Sequence, residues 1–171
     1  MTKKEMTAII DSVEISDVKV FKHEKDGIFP GEKIDVMRYS IILNGRHKVL
    51  KETKMIDALT KKEWIKFARK NYLMELLSDN LPDMKSFEQN LKRNILKIVE
   101  VSDEKIDKIK NDTSIHLTYT CLLDGWYTQP ITYRNTKLTK KDFRIDAKSE
   151  YIINCINGCI SPKTKRSTCL S

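Results

Sequence analysis

The sequence predicts an α+β protein made by internal duplication of a β-β-β-α unit, antiparallel hairpins followed by a helix, with a linking helix between the two copies. Three observations predict it. Leu59-Thr60-Lys61-Lys62-Glu63-Trp64 recurs as Leu138-Thr139-Lys140-Lys141-Asp142-Phe143, and Val13-Glu14-Ile15-Ser16-Asp17 is echoed by Val99-Glu100-Val101-Ser102-Asp103. Asn44-Gly45 and Asp124-Gly125 lie between these two landmarks, each flanked by strand-like runs. Downstream, Trp64, Ala68, Tyr72, Leu73, Leu76 and Leu77 meet Phe143, Ala147, Tyr151, Ile152, Cys155 and Ile156 at one constant offset. Self-similarity of this kind marks a repeated supersecondary unit.

Residues 3–12 are short for a helix and predict one turn or two. Val13 to Phe21 is strand-like, and the segment 22–33, with Gly27, Pro30 and Gly31, reads as a loop. Residues 36–43 and 46–54 flank Asn44-Gly45, a dipeptide that accepts positive φ at both positions and so favours a type I′ hairpin turn. Thr60-x-x-Glu63 is a capping box, in which each side chain satisfies the other residue's free backbone N–H. The stripe Trp64, Ala68, Tyr72 and Leu76 then predicts a core-facing helix ended by Ser78-Asp79-Asn80-Leu81-Pro82.

A second helix is expected from about Asp83 to Lys97, burying Met84, Phe87, Leu91 and Ile95. Residues 98–101 read as a strand by analogy with 13–15, or by pattern as an extension of the helix, and 103–111 as a charged connection or a helical turn. Ile115, Leu117, Tyr119, Cys121 and Leu123 alternate with His116, Thr118, Thr120 and Leu122 and form the clearest strand. Asp124-Gly125 turns it into 126–134, where Pro130 predicts an edge or a bulge. Thr139 caps the last helix and Gly158 suits its left-handed end. The expected division is 1–81 for the first repeat, 82–97 for the linking helix, 98–158 for the second repeat and 159–171 for a mobile tail, within one compact domain. The loop before the hairpin is longer in the first copy: 27 positions separate Asp17 from Asn44, against 21 from Asp103 to Asp124.

With 171 residues, 33% charged and 40% hydrophobic, the chain can bury a core. Its 32 basic and 24 acidic residues give a net charge of +8. That permits an anionic partner and equally serves solubility. Lys and Ile are frequent and Ala is scarce, which suits an AT-rich genome such as that of a low-GC bacterium or its phages. No run reaches the ~20 apolar residues that span a bilayer. Met1-Thr2-Lys3-Lys4-Glu5 leads into no apolar stretch, so neither a signal peptide nor a membrane partner is expected. The expected location is the cytoplasm, with Cys121, Cys155, Cys159 and Cys169 as reduced thiols.

The candidate binding residues come from the repeated Thr-Lys-Lys. Lysines in the first turn of a helix oppose its dipole, and both copies breach that rule at one place. Lysines beside free N–H groups make a phosphate cradle. Lys61, Lys62, Lys66, Arg69 and Lys70 in the first copy, and Lys140, Lys141 and Arg144 in the second, are the predicted contacts to nucleic acid or another partner. Trp126, Tyr127 and Tyr133 are available for base stacking.

From about residue 83 to 157 the order is α-β-β-β-α, and Lys140-Lys141 opens the last helix. In that order and that lysine pair the segment resembles the double-stranded-RNA-binding domain. The resemblance implies a topology and not a function.

Catalysis, metal and cofactor are not predicted. His23, His47 and His116 fall at unrelated places, and there is no phosphate-binding Gly-rich loop, dinucleotide fingerprint or His-Glu-x-x-His. His116-Leu117-Thr118 is a single His-x-Thr where a two-histidine phosphoesterase needs two. Cys155, Cys159 and Cys169 lack common zinc spacing. The sequence therefore predicts a non-enzymatic protein that engages nucleic acid or a nucleoprotein complex, in the manner of a phage or mobile-element inhibitor of a host nuclease (anti-CRISPR type). The alternative is a structural or regulatory protein–protein module without nucleic-acid binding.

Overall fold

A computed structural model describes residues 1–111, 113–128, 130–134 and 137–161. The architecture is α+β. The elements are α1 (Lys3–Asp11), β1 (Ile15–Asp26), β2 (Lys33–Leu43), β3 (His47–Lys54), α2 (Lys61–Leu77), α3 (Ser86–Lys97), β4 (Val101–Asn111), β5 (Ser114–Leu123), β6 (Tyr127–Thr128), β7 (Ile131–Arg134) and α4 (Lys140–Asn157). The chain divides into two compact units: residues 7–73, and residues 1–6 with 74–171. Within the first, β1-β2-β3 form an antiparallel sheet. Within the second, β4-β5-β6 do so and β7 also pairs with β5. The expected strand after Asp124-Gly125 is interrupted where Pro130 removes a ladder donor, giving β6 and β7.

Three expectations are corrected. Of the expected loop 22–33 only residues 27–32 are loop: residues 22–26 continue β1 and Lys33 opens β2, with cross-strand ion pairs such as Lys22–Asp35 holding a charged ribbon that shows no apolar alternation. Residues 103–111 are neither a connection nor a helical turn but most of the long strand β4, whose register runs to Asn111↔Ser114. Only Ile106 and Ile109 are apolar there, three apart among charged residues and Asn111, so no period-2 pattern marks a strand lying at a sheet edge. The inward face of α3 also differs from the expected stripe. Glu88, Lys92 and Ile95 are buried, whereas Phe87 is exposed. The Glu88 carboxylate accepts from the Lys85 N–H (2.8 Å), and the Lys92 ammonium pairs with Asp79 (2.6 Å), so both polar groups are matched where they are buried.

The same local devices recur in the two units. The Ser16/Lys19 and Ser102/Lys105 irregularities interrupt the β1–β2 and β4–β5 registers alike, with Asp17 and Asp103 at φ 49° and 48°. Asn44-Gly45 and Asp124-Gly125 take positive φ throughout, as a type I′ turn demands. Asn44 does more than turn the chain: its Oδ1 accepts from Glu14 N–H (2.9 Å) and its Nδ2 donates to the Tyr72 hydroxyl (2.8 Å). In the other unit Asp124 accepts from Glu100 N–H (3.1 Å) and from the Tyr151 hydroxyl (3.0 Å). The corner residue thus ties the first strand to the last helix in each unit. Two aromatic pairs recur as well, Tyr39 on Trp64 at 5.4 Å and Tyr119 on Phe143 at 5.6 Å, all four buried.

Candidate nucleic-acid interface

The helices that carry the candidate residues start in the same way. Thr60 Oγ1 accepts from Glu63 N–H and the Glu63 carboxylate accepts from Thr60 N–H (3.2 and 2.8 Å); Thr139 and Asp142 do the same at 3.3 and 2.8 Å. A third copy lies at the start of α1. Thr2-Lys3-Lys4-Glu5 forms this reciprocal pair, Glu5 N–H to Thr2 Oγ1 at 3.2 Å and Thr2 N–H to Glu5 at 2.7 Å. Repetition of Thr-Lys-Lys-acid is therefore a helix-starting device in this chain. The Glu63 and Asp142 carboxyls are held below their ordinary pKa by these bonds to Thr60 and Thr139, and as anions they offset the dipole that the lysines oppose.

Among the predicted contacts, Lys61, Lys62 and Lys66 are exposed on α2 and Lys70 is half-buried. Arg69 turns back into its own unit. Its Nε donates to the Val13 carbonyl (2.9 Å) and its Nη1 to Asp11 (2.7 Å), clamping the chain where α1 ends. Lys148, which matches Arg69 in the repeat, makes the equivalent bond from Nζ to the Leu96 carbonyl near the end of α3 (3.0 Å). A cation at a helix C-terminus is favourable with both the carbonyls and the dipole.

In the other unit Lys140, Lys141 and Arg144 have separate fates. Arg144 holds Glu104 through two bonds (Nε 2.8 Å, Nη2 2.6 Å), Lys140 approaches the same carboxylate (3.4 Å), and the Tyr119 hydroxyl donates to it (2.6 Å). The Arg144 guanidinium above all holds the Glu104 carboxyl down to about 2, with Tyr119 and Lys140 adding and burial opposing. Lys141 remains exposed.

Lys141 and Arg144 lie on one wall of a groove of about 690 Å³ between α3 and α4. Gln89, Lys92, Arg93, Leu96 and Lys97 come from α3 at helical spacing, and Lys141, Arg144, Ile145 and Lys148 come from α4. Six basic side chains face one carboxylate, Asp79, among the lining residues. Burial, then Arg144 nearby, pushes the Lys148 ammonium below its usual range. Crowded cations lower one another's pKa, and an incoming anion relieves that repulsion. Arg93, Lys97 and Lys148 were not among the predicted site residues. Their signal in the sequence is basic residues three and four apart on two helices, a spacing that the repeated Thr-Lys-Lys does not contain.

The remaining candidates fall elsewhere. Trp126 and Tyr127 line an open apolar depression of about 550 Å³ with Cys159, Ile160 and Ser161, and the Tyr133 hydroxyl is spent on Asp146 (2.7 Å). His116 shares a hydrogen bond with Ser114 (3.0 Å). Among the described residues no cluster of His, Cys, Asp or Glu is placed to hold a metal, and no helix is long and apolar enough to cross a membrane. Cys169 and the rest of residues 162–171, where a tail is expected, lie outside the described residues. No protein-family model, curated protein or solved structure matches the chain. The likeness to the double-stranded-RNA-binding domain therefore rests on element order, which is α-β-β-β-α in the first half of the chain and the same in the second only if the interrupted β6 and β7 are counted as one strand.

Proposed function

We propose that the protein is a non-enzymatic binder of nucleic acid, alone or within a nucleoprotein complex, and that the α3–α4 groove takes the phosphate backbone. The groove's charge imbalance carries this reading. Arg144 and Lys92 are matched to Glu104 and Asp79, and Lys148 to a carbonyl. Arg93, Lys97 and Lys141 supply the charge that a polyanion would neutralise. Apolar Met84, Leu96 and Ile145 between them let sugar faces approach. The exposed Lys61, Lys62 and Lys66 on α2 are the second candidate contact. Blocking a nuclease by occupying its nucleic-acid path is one use such a binder serves.

Phosphate contacts release counterions, so affinity falls with salt at a log–log slope of about −0.9 per phosphate neutralised on duplex DNA. Three contacts predict a slope of about −2.7. The test is anisotropy of labelled DNA and RNA, single- and double-stranded, between 50 and 200 mM salt as an order-of-magnitude working range. Arg93→Gln, Lys97→Gln and Lys141→Gln together should weaken binding to every sequence and flatten the slope. Wild-type protein that ignores all four ligands at the low end of that range would leave the charge to solubility and end the proposal.

A further inference from the structure

The β1–β2 hairpin carries a six-residue tip where the matching β4–β5 hairpin has two residues between its strands. β3 pairs with β2 as far as Lys54↔Val36, while β1 and β2 continue together to Asp26↔Lys33. Beyond β3 the two strands form a free-standing ribbon with Gly27 to Glu32 at its tip. In the other unit β4 and β5 pair until Asn111↔Ser114, leaving two residues between them. That pair also runs past its third strand, whose pairing ends at His116↔Arg134, so the shared hairpin explains the ribbon but not the six-residue tip.

The tip is built rather than slack. Gly27 N–H donates to the Glu32 carbonyl (2.8 Å) and Glu32 N–H to the Phe29 carbonyl (3.0 Å). The Glu32 carboxylate accepts from Phe29 N–H (3.1 Å). A Cβ at Gly27 would lie 2.3 Å from that carboxylate, so glycine leaves room for it, and Gly31 supplies φ +80°. What this frame holds outward is apolar: Ile28 is 94% exposed and Phe29 71%. Two adjacent large apolar side chains, fixed by a folded loop and absent from the counterpart, need an explanation that lone surface residues do not.

Charge identifies the occupant's class. The chain has an excess of basic residues, yet residues 22–35 carry three lysines against Glu24, Asp26, Glu32 and Asp35. Each of those lysines is matched: Lys22 to Asp35 (2.5 Å), Lys25 to Glu52 (2.6 Å) and Lys33 to Asp26. A nucleic-acid arm or an anionic-membrane anchor needs uncompensated cations around its apolar wedge. This ribbon offers none. We infer that the β1–β2 ribbon is a protein-docking arm, and that Ile28 and Phe29 seat in an apolar pocket of a protein partner. Its ordered tip reduces what must be immobilised on binding, and an aromatic anchor in a desolvated pocket is the usual energetic centre of an interface. The inference stands apart from the groove and survives its failure.

The experiment places the photo-crosslinking residue p-benzoylphenylalanine at position 29 of the full chain, in the organism that encodes it. Mass spectrometry then maps the adduct. The expected result is one dominant protein adduct on an apolar residue. Titration of that purified protein should give a Kd weakened on the order of 100-fold by Phe29→Asp and less than about 10-fold by Phe29→Leu. The tip lies outside the core, so circular dichroism should show both variants folded. Adducts on nucleic acid, on lipid or on a second copy of this chain would overturn the inference. So would the absence of a dominant adduct, or a partner that binds Phe29→Asp as tightly as wild type.

Discussion

Glu104→Gln is expected to destabilise the second unit, by an amount that shrinks as the pH falls. The Glu104 side chain is 14% exposed and gathers Arg144, Lys140 and the Tyr119 hydroxyl. Its pKa drops from an ordinary 4.5 to about 2. At about 1.36 kcal/mol per unit that lowering corresponds to about 3.4 kcal/mol at most. Arg144 is 44% exposed and Lys140 52%, so solvent screens the pairs, and about 1–2 kcal/mol is the realistic share. A carboxyl with a depressed folded pKa stabilises fully above its unfolded value and loses that contribution as pH falls through the folded one. The window therefore lies between pH 4.5 and about 2. Urea unfolding should be followed by Trp126 emission in a Trp64→Phe background, which leaves one indole, within the second unit. The wild-type advantage over Glu104→Gln should be full at pH 7 and decline below 4.5. An advantage that does not change with pH, or one below about 0.5 kcal/mol at pH 7, would refute the ion-pair reasoning and leave shape as the role of Glu104.

Trp64→Phe should change stability by less than about 1.5 kcal/mol, because the buried Trp64 Nε1 has no hydrogen-bond partner among the described residues and Phe143 fills the matching position of the repeat; urea midpoints check it. Thr139→Ala should cost about 1 kcal/mol through loss of the cap on α4, with Thr139→Ser restoring most of it. Lys61→Glu with Lys62→Glu should raise stability by about 0.3–1 kcal/mol per site by complementing the helix dipole. If α2 contacts phosphates, the same double variant should weaken nucleic-acid binding. Greater stability with unchanged affinity would assign those lysines no binding role.

Much of the fold was legible because short-range chemistry specifies it. Asn44-Gly45, Asp124-Gly125, the Thr60 and Thr139 caps, and the Trp64 and Phe143 stripes each name a local conformation that the structure contains. Illegibility begins where partners are distant in sequence. Glu88 and Lys92 look like surface residues of α3 until Lys85 N–H and Asp79 are seen to satisfy them. β4 looked like a connection because its exposed residues outnumber its apolar ones. The candidate site suffered most. Arg69 and Arg144 belong to a basic stretch on paper, but one clamps Val13 and Asp11 and the other Glu104, contacts 40 to 58 residues away. Conversely, Arg93, Lys97 and Lys141 converge only once α3 lies beside α4.

Comparing the units separates what maintains the fold from what is available for function. Features present twice have a structural use that explains them: the capping boxes, the Asn44 and Asp124 corners, the Tyr39–Trp64 and Tyr119–Phe143 pairs, and the Arg69 and Lys148 clamps. The doubled lysines belong to that set, so their repetition is weak evidence for a ligand. Features present once lack that explanation. Arg93 and Lys97 of the groove correspond in the repeat to Thr7 and Asp11, which bring no positive charge, and the six-residue Ile28–Phe29 tip has only two residues at the corresponding place in the sequence. A fold that stands in both versions does not need these additions, and their chemistries differ: cationic in one unit, apolar and charge-balanced in the other. The proposed groove and the proposed docking arm each rest on a feature of this second kind.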